Sequence, residues 1–95
     1  MIEGTLKSGF EIMIPDENYD DYELFEDLAA IDENPDNIGK MVSVFKRLLG
    51  EEQYKALKEH MRQENGRIRT TQMEAVLHEI FELNDESKNS EPSPT

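Results

Sequence analysis

The chain contains no cysteine, which excludes a disulfide framework and thiolate chemistry and is compatible with a reducing, intracellular setting. No apolar run approaches the ~20 residues needed to cross a bilayer, and the first residues lack the basic and apolar regions of a secretory signal. A soluble cytosolic protein is the expectation. Basic residues are missing altogether between Lys7 and Lys40, whereas residues 11–36 hold eleven Asp or Glu. Eight of the ten Lys and Arg lie between Lys40 and Arg69, in a chain of formal net charge −12. Such a segregated field repels nucleic acid and acidic membrane surfaces from one half and steers a basic partner toward it, favouring protein binding over catalysis. The plainer reading makes residues 16–33 the solvated face of one helix.

With 95 residues, 36% of them apolar, the chain can build one small domain that buries roughly 60–65% of its unfolded surface. Residues 2–14 predict a β-hairpin, because Phe10, Ile12 and Ile14 alternate after a Lys7-Ser8-Gly9 turn in which Gly9 can take φ > 0. A three-residue loop pairs Leu6 with Phe10 and Ile2 with Ile14 on one face. Pro15 closes the strand, and Asp16 to Asn18 offer cap chemistry for a first helix over about residues 19–32.

A second helix over 35–49 starts from Asn34 as N-cap and Pro35 at the first position, and stops at Gly50. Its stripe is Ile38, Met41, Val42, Phe45, Leu48 and Leu49, with Lys46 and Arg47 outside it. A third helix over 51–64 has only Tyr54, Leu57 and Met61 on its stripe and is expected to pack shallowly. Thr71 and Glu74 form a capping box for a fourth helix over 71–83, with Met73, Val76, Leu77, Ile80 and Phe81 as its apolar face. From Asn84 the apolar residues stop, so residues 84–95 are expected to be a disordered tail behind a single domain of residues 1–83. The fold class is therefore mainly α, of the α+β kind, with about four short helices and an N-terminal hairpin.

In the first helix the apolar set of Tyr19, Tyr22, Leu24, Phe25, Leu28, Ala29 and Ile31 spreads over more than one stripe, so part of it is expected to stay uncovered. Tyr19, Tyr22 and Phe25, with Asp20, Asp21 and Glu23 around them, are the candidate partner-binding residues.

Few patterns for chemistry are complete. Asp32, Asn34 and Asp36 have EF-hand spacing, but Asn37 stands at the glycine position and Ser43 at the glutamate position. The loop Asp16, Asn18, Asp20 fails as well, with Asp21 at the glycine position and the acidic Glu23 where an apolar residue belongs. His78 and Glu79 begin an H-E-x-x pattern, with Glu82 where a second histidine is needed. His60 and His78 read as surface residues, and there is no Gly-rich phosphate loop or G-x-S-x-G elbow. Lys46-Arg47 and Arg67-Arg69 are too few for duplex DNA binding on this acidic background. No enzyme, cofactor or metal is expected.

The segments Gly4-Thr5-Leu6-Lys7-Ser8-Gly9-Phe10, Tyr22-Glu23-Leu24, Leu48-Leu49-Gly50-Glu51-Glu52-Gln53-Tyr54 with Leu57-Lys58, Asn65-Gly66-Arg67 and Ser87-Lys88-Asn89-Ser90, taken in order, resemble a tail assembly chaperone of long-tailed bacteriophages and prophages. The resemblance covers most of residues 4–90 and is carried by the order of segments rather than by any single motif. It implies a helical, non-catalytic protein of the infected bacterial cytoplasm that is absent from the finished virion. Such a chaperone keeps the tape measure protein soluble and recruits tail tube subunits, binding neither nucleic acid nor membrane; self-association is left open. It also implies a second, longer product made by ribosomal frameshifting, for which Lys88-Asn89 after Ser87 can encode a slippery A-AAA-AAC. The alternative class is an acidic DNA mimic that inhibits a host defence nuclease. Against it, mimicry needs evenly spread carboxylates, and here the acids are followed by a basic stretch.

Overall fold

The computed structural model of the chain describes residues 1–89, with side chains through Asn84. It is mainly helical with an N-terminal antiparallel hairpin, the expected class. Strands β1 (Ile2–Thr5) and β2 (Glu11–Ile14) pair in the expected register, Ile2 opposite Ile14 and Gly4 opposite Ile12. Phe10 accepts from the Leu6 amide at 2.9 Å, and Gly9 takes the left-handed conformation that closes the three-residue loop, at φ 91°. Ile2, Leu6, Ile12 and Ile14 all turn inward and are buried.

After the hairpin come a one-turn helix α1 (Asp16–Tyr19), then α2 (Tyr22–Glu33), a 3-10 turn (Pro35–Gly39), α3 (Lys40–Met61) and α4 (Thr70–Asn89). The single first helix expected over 19–32 is thus two helices. Asp20 leaves helical geometry at φ −91°, ψ 61° and separates Tyr19 from Tyr22. Asp21, not a residue of 16–18, caps α2 by accepting from the amides of Glu23 at 3.0 Å and Leu24 at 3.4 Å.

Asn34 caps the next element as expected, accepting from the Asp36 amide, with Pro35 following it. That element begins as a 3-10 turn and becomes α-helical only at Lys40. Gly50 interrupts α3 at φ 79°, ψ 162°, so the expected break is present between helical residues on both sides. The break frees backbone carbonyls, and side chains capture them: Asn18 donates to the Leu48 carbonyl at 2.8 Å and Gln53 to the Leu49 carbonyl at 3.1 Å.

The stripe of α3 needs correction at one position. Val42 is 45% exposed, while Val44, outside the expected stripe, is fully buried. Val44 precedes Arg47 by one turn, and Arg47 reaches the acids of α2, so the flank carrying Val44 is the one α2 covers. Residues 51–61 also pack more deeply than expected. Leu57 is fully buried, and Phe45 stacks on Tyr54 with ring centroids 5.6 Å apart. The hairpin supplies the cover: Gln53 exchanges two hydrogen bonds with the Met13 backbone, and His60 meets the Ser8 carbonyl at 2.9 Å and the Phe10 ring at 5.4 Å. This helical stretch ends at Met61 rather than at 64.

Helix α4 begins at Thr70, which puts Thr71 inside the first turn, so the expected T-x-x-E cap is not the start of the helix. Its inner face of Met73, Val76 and Ile80 is buried against the hairpin and α3. The helix continues to Asn89, past the end expected at Leu83. The expected tail from residue 84 thus begins within this helix, and residues 90–95 of it lie outside the described residues. Leu83 itself packs on β1: a Cβ at Gly4 would stand 2.9 Å from its Cδ1.

Candidate functional site

Helix α2 is pinned by its own acids. Arg47 on α3 places its Nη1 3.2 Å from Asp21 Oδ2, its Nη2 3.2 Å from Glu23 Oε2 and its Nε 3.8 Å from Asp27 Oδ2. Lys40 stands 3.8 Å from the other oxygen of Asp27. Partial desolvation acts upward on the Asp21 carboxyl. The hydrogen bond from Arg47 and those from the Leu24 and Glu23 amides outweigh it and hold the group below the ordinary carboxylate range. Hydrogen bonding to Asp21, opposed by desolvation, raises Arg47 in turn. Asp21 and Glu23 are thus hydrogen-bonded to one guanidinium, while Asp27 approaches its buried Nε without reaching hydrogen-bond distance, so none of the three stands in a row of free carboxylates.

The six candidate partner-binding residues divide. Tyr19 is not on an open face: its hydroxyl donates to the Ile80 carbonyl at 3.1 Å and its ring meets Phe81 edge-on at 6.0 Å. Burial pushes its phenol up to about 12. Asp21 and Glu23 serve the cap and the Arg47 clamp, and Asp20 is exposed at the break before α2. Tyr22 and Phe25 remain open, 79% and 64% exposed. The wide apolar arc read from the sequence therefore has two causes. Tyr19 belongs to a different helix, and Tyr22 and Phe25 lie outward from the inward residues Leu24, Leu28 and Ile31.

Next to that open pair lies a groove the sequence reading did not anticipate. A cavity of about 490 Å³ separates α2 and the 3-10 turn from α4. Leu28, Ile31, Ile38 and Met41 form one wall and Leu77 and Phe81 the other, with Asp32, Pro35, Glu74 and His78 at its edge. Glu74, Leu77, His78 and Phe81 recur at helical spacing and so share one face of α4. Phe25 precedes Leu28 by three residues and Asp32 by seven, so it stands one to two turns before the groove at the exposed border of that face, without lining the cavity itself. The outer half of the α4 stripe, Leu77 and Phe81, was legible as apolar; that it stays half-buried beside a groove depends on how far α2 stands from it.

The titratable residues singled out for metal chemistry are used otherwise. Glu79 accepts from the Lys7 amide at 2.8 Å, tying the hairpin loop to α4, and His78 is exposed at the groove edge. Among the described residues no group of three or more His, Asp or Glu is placed to hold a metal ion. Within the EF-hand-like stretch, Asn34 spends its side chain on the cap. No helix of the described residues is long and apolar enough to cross a membrane. A basic loop lies after α3, where Arg62 is engaged by Glu59 at 3.0 Å and by the Gly66 carbonyl at 2.7 Å. No protein-family model, curated protein or solved structure matches the chain.

Proposed function

We propose that the chain is a non-catalytic binding module acting as a phage tail assembly chaperone, keeping the tape measure protein soluble and recruiting tail tube subunits around it in the host cytoplasm. The reading joins the resemblance in segment order to one structural observation. That observation is the uncovered apolar surface of α2, exposed Tyr22 and Phe25 in its first half and the groove along its second, in an acidic segment of the chain. A long helical client exposes apolar stripes before it is sheathed, and a small acidic domain with uncovered apolar surface can shield part of such a stripe. Its charge of −12 keeps the complex dispersed and speeds encounter with a basic segment.

Co-expression with the tape measure protein of the same genome tests the proposal. The parent chain is expected to raise the soluble yield of the tape measure. Replacing Tyr22 and Phe25 by Ser is expected to lower that yield while leaving the circular dichroism and melting of the chaperone unchanged, since both side chains point outward. A tape measure equally insoluble with and without the parent chain would remove the proposal.

A further inference from the structure

We propose that the groove between α2 and α4 receives one amphipathic helix from a basic partner, with its apolar stripe on Leu28, Leu77 and Phe81 and its Lys or Arg side chains against Asp32 and Glu74. The proposal deepens the binding-module reading and rests on it.

The occupant is helical because of what the groove lacks. One wall is α4 and the other joins the end of α2, the 3-10 turn and the start of α3, none of them a strand, so an extended segment would find no free sheet edge there and would leave its own amides unpaired. A helix brings its backbone already satisfied. It needs only side-chain complementarity, with anchors spaced to follow the wall.

The occupant is basic because of what lines the edge. No Lys or Arg borders the cavity, while Asp32 of α2 and Glu74 of α4 both border it and enter no ion pair among the described residues. Asp32 and Glu33 also sit in the last turn of α2, which has no basic residue. The C-terminal end of a helix carries partial negative charge and favours cations, so acids there cost the helix stability. That cost goes uncompensated within the described chain, and a cation docked beside Asp32 offsets it.

The test uses the full chain and three synthetic peptides of about five helical turns, ~18 residues. One has leucines at helical spacing and flanking lysines; the second exchanges every lysine for glutamate; the third scrambles the first at constant charge. Binding is read by fluorescence anisotropy, and contact with the groove by NMR shifts of the Leu28 and Leu77 methyl groups. The lysine peptide is expected to bind about tenfold or more tighter than either control, and to shift both methyls. In the double variant Asp32→Lys, Glu74→Lys the preference is expected to reverse toward the glutamate peptide. Equal binding of the scrambled peptide would reduce the effect to net charge and overturn the proposal. An unreversed preference in the double variant would do the same, as would a concentration-dependent dimer that shields the two methyls and excludes the peptide. Failure here with tape measure solubility intact removes the groove assignment alone. Peptide binding without any effect on the tape measure removes the tail-chaperone reading alone.

Discussion

Two residues carry unusual conformational or packing weight. Gly50 sits at φ 79°, ψ 162°, in a region that residues with a Cβ essentially do not enter, and nothing crowds the space around it. Gly50→Ala is therefore expected to cost about 1–3 kcal/mol through backbone strain alone, which urea titration will measure. Phe45 is 1% exposed, stacked on Tyr54 and central in α3. Phe45→Ala is expected to lose about 3–5 kcal/mol in the same titration, by removing buried area and leaving a cavity. The importance of both residues was legible in the chain, Gly50 as punctuation and Phe45 as the middle of a periodic stripe. The fate of Tyr19 was not. It counts as an apolar member of an acidic helix by spacing, but a break at Asp20 turns it toward the Ile80 carbonyl, and a backbone break at a non-glycine residue leaves no compositional mark.

Among the elements, α2 depends most on its surroundings. Its N-terminus is held by the Asp21 cap and by the Arg47 fork to Asp21 and Glu23. Because the Asp21 carboxyl is depressed in the fold, its contribution is present above its unfolded pKa and is lost as the pH falls through the folded one. The part of the melting temperature that Asp21 supplies is accordingly expected to fall away below about pH 4, an acid limb opposed by the relief of self-repulsion as the surplus carboxylates protonate. Arg47→Ala is expected to lower the midpoint at neutral pH and to flatten that acid limb; a series of thermal melts across pH checks both. The pairing could not be read from sequence, where Arg47 is simply a polar residue outside a stripe. It depends on the angle at which α2 lies over α3, and the same angle decides that Val44 is buried while Val42 is open. Likewise the apparent shallowness of 51–61 came from counting apolar residues on that segment alone. Its cover comes from the hairpin, joined through Gln53 and His60 across some forty to fifty positions of sequence.

At the scale of the whole molecule, the charge of −12 sets the balance between dispersion and cohesion. Self-repulsion of this size weakens the compact state, and salt screens it over a Debye length of about 8 Å at 0.15 M. Raising the ionic strength from a few millimolar to about 0.15 M is expected to raise the melting temperature, even though the Arg47 and Lys40 pairs weaken, because the uncompensated acids outnumber them; calorimetry at two salt concentrations decides it. The sequence by itself determined the charge division, the hairpin and its register, the breaks at Asn34 and Gly50, and a mainly helical class. All of these follow from local rules: alternation, helical period and the conformational limits of proline and glycine. Only the tertiary structure decided that Tyr19 turns inward, that Arg47 gathers three acids, that α4 runs on to Asn89, and that α2 and α4 stand far enough apart to leave a groove with an acidic edge. The Arg47 pairing and the groove depend on distances between helices, which are fixed by the side chains packed between them and have no period along the chain from which to read them; the turn of Tyr19 depends on a backbone break at Asp20 that composition does not mark.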